Sequence, residues 1–416
     1  MPDITGSPRF AFLCPGAYKR QYIKCSNKRN IVMKNACCLC FAFLFISLLS
    51  YAGEADVPEV FRGHAQENKL YLQYDDLDTF LKTFVSVTGW SERQKAENID
   101  SRVGTRLKVR INPLTVLEGN KFYFTAFDNE QVVSTLADMQ ASLMSLPDEI
   151  PLPLLSADEQ LAYWLNLYNF TMLNEIAKRY PVYSMSRYLN PDEDKYFLDD
   201  KVMTVAGIPL SLNDIKDKIL KEKYDSNPLI LYGLFQGNIG GPGIQKRAFR
   251  SRGIWRTLKK SATEFINSNR GTYFDGKVSV FYERNLNWFH NDEAALKAHI
   301  LMYLGGEMTE EIDKAESLDF AMKDWQLASV MGDQRSYGGS GATNSAAMLD
   351  SVVVSGSALV PTHMMEEWVS KTPASTRLSP SQLAVLDDLR TRFAVARGSV
   401  SVTDLSEEEA KSDEKQ

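Results

Sequence analysis

Ser156-Ala-Asp-Glu159-Gln-Leu-Ala-Tyr-Trp164-Leu-Asn166-Leu-Tyr168-Asn169-Phe170 is the stretch from which the rest of this chain can be read. Ser156 with Glu159 three residues later has the form of a capping box, in which hydroxyl and carboxylate satisfy orphan N–H groups at a helix start. Beyond it Leu161, Trp164, Leu165, Tyr168, Met172 and Ile176 recur at intervals of three and four and make one apolar stripe. Leu167 and Leu173 fall outside the stripe, so the spacing predicts a helix buried on most of its sides. Pro181 is expected to end it. Asn166 and Asn169 then lie inside a core, where an amide has to find hydrogen-bond partners. They are either braces for a neighbouring loop or polar contacts for a ligand.

Upstream, Asp75-Asp76-Leu77-Asp78 opens a short helix through Phe80, Leu81 and Phe84. Arg106 to Ile111 alternates as a half-buried strand, and Gln131 to Leu146 reads as an amphipathic helix closed by Pro147. Downstream come a strand at Val202 to Val205 and a second helix cap at Ser211. The continuous apolar run from Leu229 to Phe235 has the composition of a strand covered on both faces. It empties into Gln236-Gly-Asn-Ile-Gly-Gly-Pro-Gly243, followed by a helix to about Asn267 with a stripe of Trp255, Leu258, Ala262 and Phe265. A strand at Val278 to Phe281 and a helix holding His299 come next. Gly332 to Val360 is rich in Gly, Ser, Ala and Asn and is expected to be flexible. Ser379-Pro380-Ser-Gln382 caps a last helix through Leu383, Leu386, Leu389 and Phe393.

These elements predict an α+β fold: several helices packed on a small central sheet, with a flexible C-terminal extension. The expected divisions are a gene-model extension over 1–32, a signal peptide over 33–52 and an N-terminal accessory region over 53–150. A core domain over 151–330 follows, then a flexible segment over 331–378, an amphipathic helix over 379–402 and an acidic tail over 403–416.

All 5 cysteines precede residue 41. They fall within or before the apolar run Ala36 to Leu49, which has Lys34 ahead of it and small residues at Ser50 and Ala52. That arrangement reads as a secretory signal starting at Met33, and so as an exported, periplasmic or secreted protein without cysteine. The alternative is an uncleaved anchor, because Ala36 to Gly53 carries no charge and is at the lower limit for spanning a bilayer. The whole chain has 416 residues and a net charge of −6. The residues before Gly53 hold seven cations and the single acid Asp3, so the exported part is more acidic still. That balance argues against nucleic acid as a partner. Without cysteine the exported part has no disulfide, no thiolate nucleophile and no Cys-ligated metal.

Among motifs, the glycine loop is the most suggestive. Gly237, Gly240, Gly241 and Gly243 allow backbone N–H groups to turn toward a ligand. From Ser226 to Thr263 there is no acid, while Lys246, Arg247, Arg250, Arg252, Arg256, Lys259 and Lys260 are all cations. A basic segment behind a glycine turn could hold an anion such as phosphate, carboxylate or a charged sugar. The bland counterpart is a tight turn beside a solvated cationic face. No Gly-Lys-Ser/Thr follows, which excludes a P-loop, and no dinucleotide fingerprint is present. The 4 histidines have no zinc-hydrolase spacing, so neither metal nor cofactor is expected. His290 and Asp292 are the candidates for acid–base work.

Four blocks stand in a recognisable order: Ala162-Tyr-Trp-Leu-Asn-Leu-Tyr-Asn169, Gly207-Ile-Pro-Leu-Ser-Leu-Asn-Asp-Ile215, Pro228 through Pro242, and Leu286-Asn-Trp-Phe-His-Asn-Asp292. In these the chain resembles the domain-of-unknown-function 547 family, over roughly Leu155 to Asp292. The family has no settled activity. The resemblance implies a glutamate where this chain has Lys216, a histidine at Leu231, cysteines at Gln236 and Gly241, and a serine at Glu283. Asn166, Asn169, Ser211, Pro242, Trp288 and Asp292 keep the pattern. A Cys–His pair for nucleophilic work is therefore missing from those positions.

Two functional classes follow. The first is an exported, cofactor-free binding or scaffold module that holds an anionic small molecule or envelope component. Asn166, Asn169, Gln236, Gly240, Gly241, Arg247 and Arg250 would make the contacts, and the C-terminal helix would meet a protein partner. The second is a hydrolase or transferase using an amide and carboxylate site, with Asp292 or His290 as base.

Overall fold

The computed structural model describes residues 57–67, 69–94, 114–330 and 377–396. All of them belong to the compact unit Gly53–Gln416. The apolar run, the cysteines, the expected strand at Arg106 to Ile111, the Gly332 to Val360 segment and the acidic tail lie outside the described residues.

The main helices are α1 (Asp75–Phe84), α2 (Glu130–Glu149), α3 (Ala157–Arg179), α4 (Ile254–Ile266), α5 (Glu293–Tyr303), α6 (Glu307–Lys314) and α7 (Pro380–Ala396). α3 is the axis of the fold, and every residue from Glu159 to Ile176 is buried. Ser156 Oγ accepts from the Glu159 N–H at 3.3 Å, as the capping spacing predicts. The Glu159 carboxylate does not return to Ser156. It accepts from the Leu72 N–H at 3.1 Å, tying the entry segment to the helix start. At the other end Lys178 and Arg179 pair with Glu175, placing cations where the helix dipole favours them.

α2 packs along α3. Pro147 does not close α2 but sits in its last turn, and Ile150 N–H still bonds to Leu146 O at 2.8 Å. A proline in a helix leaves the carbonyl four residues earlier without its donor. Here that carbonyl, Leu143 O, accepts from the Tyr163 hydroxyl of α3 at 3.1 Å. A side chain on the neighbouring helix thus makes the interior proline tolerable.

The fold is α+β, but among the described residues the strands form three separate pairs rather than one central sheet. β1 (Val85–Ser86) is antiparallel to β2 (Lys121–Phe122), β3 (Met203–Val205) to β4 (Ile208–Leu210), and β5 (Lys277–Ser279) runs parallel to β6 (Asp319–Met322). The place of a sheet is taken by an irregular ladder around Asp324–Val330. Trp325 O accepts from Met185 N–H, Gln326 O from Ile239 N–H, and Ala328 N–H donates to Gly237 O. Phe122 N–H donates to Ala328 O, and Val330 N–H to Phe122 O.

The apolar run at Leu229 to Phe235 is no strand. Pro228–Gly233 is a short 3₁₀ helix, started by Asn227, whose side chain accepts from Leu229 N–H. A run buried on all sides has no periodicity, so the pattern alone cannot separate the two. Gly233 lies so close to α3 and α4 that a Cβ there would come within 2.7 Å of Leu258 and 3.0 Å of Leu165. The α7 stripe turns inward: Leu386 is buried, and Leu383 and Leu389 pack partly on the core. Arg377, just before it, grips Asp76 of α1 through two hydrogen bonds of 2.9 and 2.7 Å.

Candidate functional site

The glycine loop is a buried crossing point. Residues 231–242 are all buried. Ile239 and Gly240 N–H groups donate to Gln326 O and Asp324 O, each at 2.9 Å, and Gly241 N–H donates to Asn238 O. Gly240 is a glycine because a Cβ would come within 2.7 Å of the Asp324 backbone. The loop's carbonyls face donors: Ser279 Oγ gives to Gly240 O at 3.2 Å, and Arg270 Nη1 to Gly241 O at 2.8 Å. These amides already hold the chain together and do not form an open anion nest.

The two α3 amides are braces on the backbone of this region. Asn166 Nδ2 donates to Phe249 O at 2.9 Å, and its Oδ1 accepts from Phe249 N–H at 2.8 Å. Asn169 does the same across a turn, giving to Gly233 O at 2.9 Å and accepting from Phe235 N–H at 2.8 Å. An amide carries one acceptor and one donor group side by side, so each asparagine closes a ring with a stretch of extended backbone.

The cations after the loop are dispersed. Lys246, Arg247, Arg252, Arg256, Lys259 and Lys260 are exposed. Arg250 pairs with Asp75 at 2.8 Å and Asp78 at 3.4 Å, while Asp78 Oδ1 also accepts from Ala248 N–H. His290 is exposed in a left-handed conformation with φ 55. Asp292 is exposed too, and caps α5 by accepting from Ala294 N–H at 2.9 Å. The structure does not bring these two residues beside Asn166 or the cations.

What does gather is a set of which the sequence marked only Gln236 and Gly240. Gln236 Oε1 accepts from Arg284 Nη1 at 3.2 Å, and the guanidinium lies over the Trp325 ring, 5.4 Å from its centroid. Around them is a cavity of about 10 Å³, lined by Gln236, Gly240, Ser279, Phe281, Arg284 and Trp325 among others. That is room for one water. Arg284 keeps some exposure, yet its guanidinium is enclosed enough that burial lowers its pKa. No carboxylate lies within 4 Å of it among the described residues.

Lys216 is a neighbour. It comes from the wide helical segment Asp214–Leu220, started where Ser211 Oγ accepts from Asp214 N–H at 3.0 Å. Such widened turns often mark functional positions. Lys216 Nζ donates to Asn285 Oδ1 at 3.1 Å and pairs with Asp217 at 3.3 Å. Burial pushes its pKa down, Asp217 opposes that, and the nearby Arg284 charge adds to it. Asp217 is itself committed, accepting from Asn287 at 3.2 Å and Trp288 Nε1 at 3.0 Å. The buried Tyr168 hydroxyl, close enough to feel both Arg284 and Asp217, has no hydrogen-bond partner among the described residues.

Of the positions where the resemblance implies other residues, Gln236 lines the cavity and Lys216 belongs to this cluster. Leu231 is core and Glu283 is exposed. Sequence reasoning missed Arg284, which stands one residue from Glu283. Its only signal was a cation directly before the Asn285-Leu-Asn-Trp block. Among the described residues no three His, Cys, Asp or Glu side chains could share a metal ion.

Residues 152–266 match the family model described as "Protein of unknown function, DUF547". The match takes in α3, the glycine loop and α4, and stops before Arg270, Arg284 and the Leu286–Asp292 block. No curated protein and no solved structure matches the chain. From just before the capped Trp164/Tyr168 helix to the end of α4, this chain is thus similar to the DUF547 family, whose function is unknown.

Proposed function

We propose that this is an exported binding module that takes up a small anion in the cleft between the glycine loop and Arg284. The observation that carries the reading is Arg284 itself. An enclosed guanidinium ordinarily has a carboxylate, because an unpaired charge away from water is costly. Among the described residues Arg284 has only the neutral Gln236 oxygen and an aromatic face. The remaining donors of its fork are left for a ligand. The cleft adjoins the loop read from sequence as anion-accepting, but Arg284 takes over the role assigned there to Arg247 and Arg250, since Arg250 already has Asp75 and Asp78.

A thermal-shift screen of the purified protein against phosphates, carboxylates and acidic sugars tests this. A saturable rise that survives Arg247→Ala and disappears in Arg284→Gln is the expected result. A rise that survives Arg284→Gln would refute the site. Export is part of the proposal and rests on the apolar run at Ala36 to Leu49. Among the described residues no helix is long and apolar enough to cross a membrane. Intact mass of the exported product would show whether Met33 to Ala52 has been removed, and its retention would end the cleaved-signal reading.

A further inference from the structure

Arg284 offers a flat fork of donors, of which Nη1 alone is engaged, by Gln236. Trp325 covers the guanidinium from one side and so restricts its orientation. A planar anion that accepts two parallel N–H bonds fits such a fork.

Charge and wall chemistry narrow the choice. Lys216, an enclosed cation close enough to feel the Arg284 charge, is matched by Asp217. Lys323 lines the cleft from an exposed position, and the Asp324 carboxylate lies on the same wall. Asp324 is held by the Thr115 hydroxyl and the Gln326 N–H. The lining residues therefore sum to one net positive charge, Arg284 and Lys323 against Asp324. A monoanion balances it, whereas a dianion would leave excess negative charge in an enclosed place. The rest of the lining is mixed: Asn238 and Ser279 are polar and tied to Asp324 O and Gly240 O, while Val280, Phe281, Met322 and the Trp325 ring are apolar. With room inside for about one water, no more than one carboxylate oxygen can enter, and the remainder of the ligand must lie along the partly exposed Met322 and Trp325.

We infer that the anion taken up at Arg284 is the carboxylate of a ligand with an apolar stem, the carboxylate meeting the guanidinium and the stem resting on Met322 and Trp325. This rests on the reading of the cleft as an anion site and adds the ligand class. A free short-chain acid and the apolar carboxyl end of a peptide share this chemistry.

Calorimetric titration of the purified protein with hexanoate, N-acetylleucine, acetate and inorganic phosphate separates the possibilities. Hexanoate, N-acetylleucine or both should bind at least about tenfold more tightly than phosphate, a difference of about 1.4 kcal/mol. Acetate, which lacks the stem, should be weaker than either. Preference for hexanoate would identify a free acid as the source, and preference for N-acetylleucine a chain end. Arg284→Lys keeps the charge and loses the fork, so it should weaken binding by about tenfold or more. Arg284→Gln should abolish it. Tight phosphate binding that depends on Arg284, with no carboxylate binding, would overturn the carboxylate assignment and leave the anion site standing. If neither Arg284→Lys nor Arg284→Gln alters the binding of any of the four anions, both fail.

Discussion

Arg270 and Arg284 both reach the glycine loop, and both are enclosed, but their charges are met differently. Arg270 sits just after α4 with a side chain 1% exposed, in a salt bridge of 2.5 Å to Glu264. Its Nη1 gives to Gly241 O, and its guanidinium packs 5.2 Å from the centre of the Phe265 ring. Gly119 is shaped to it: a Cβ there would come within 2.5 Å of Nη1, and the residue has φ +70, a conformation glycine adopts without strain. Arg284 has Gln236, Trp325 and an adjoining cavity. Burial of an arginine is therefore no sign of a site; the proposal for Arg284 rests on its lacking, among the described residues, the carboxylate that Arg270 has.

The comparison breaks first on stability. Arg270→Met leaves Glu264 and the Gly241 carbonyl without their donor, and should cost about 3–5 kcal/mol in chemical denaturation. Arg284→Met removes a cation without orphaning a carboxylate and should change stability by less than about 1 kcal/mol, in either direction. Equal losses in the two variants would show that Arg284 is as structural as Arg270.

His299 sharpens the contrast, since it meets burial by giving up its charge. It stacks on Tyr232 at 5.8 Å, hydrogen-bonds to the Tyr232 hydroxyl at 3.1 Å and has Phe289 and Tyr303 at its edges. Burial pushes its pKa down from 6.5 to about 4. The unfolded chain then binds a proton between about pH 6.5 and 4 that the folded chain refuses. Stability from this residue is full above that window and falls as pH drops through it, by on the order of 3 kcal/mol. Glu159, whose carboxyl burial pushes up, works with the opposite sign, so His299→Phe is the needed reference. Denaturation measured from pH 7 to 4 should show a flatter profile in His299→Phe, and unchanged slopes would refute the assignment.

Asn166 is the neutral counterpart of Arg270. Asn166→Ala strips both partners from the buried Phe249 backbone and should cost about 2–3 kcal/mol by the same assay. A smaller loss would mean that water replaces the amide. The smallest effect is expected at Arg250, whose side chain is 38% exposed and faces an Asp75 that is 79% exposed. Arg250→Ala should change stability by about 1 kcal/mol or less, and less again in high salt.

Reading this chain in order recovers what local chemistry controls. The Ser156 cap, the apolar period through Ile176 and the acidic start at Asp75 are one-dimensional signals, and the helices stand where those signals put them. The burial of Asn166 and Asn169 followed from the same helix. The extent of α2 did not, because Pro147 reads as a stop until the Tyr163 hydroxyl is seen to take up Leu143 O. Nor did the 3₁₀ turn at Pro228–Gly233, where uniform burial erases periodicity.

The glycine loop shows the same division at the site. Its glycines are plain in the sequence, yet what they are for depends on Asp324, Gln326 and Arg270, which lie outside residues 152–266. Whether a cation is paired depends on side chains far away in sequence, and only packing brings those to it. By itself the sequence determined where the capped and periodic helices start, the burial of α3 on most of its sides and the similarity of residues 152–266 to a family, because caps and periodicity act over a few residues. The tertiary structure alone decided that Arg250 and Arg270 are paired and that Arg284 has no carboxylate partner among the described residues, because charge compensation is a property of neighbours in space.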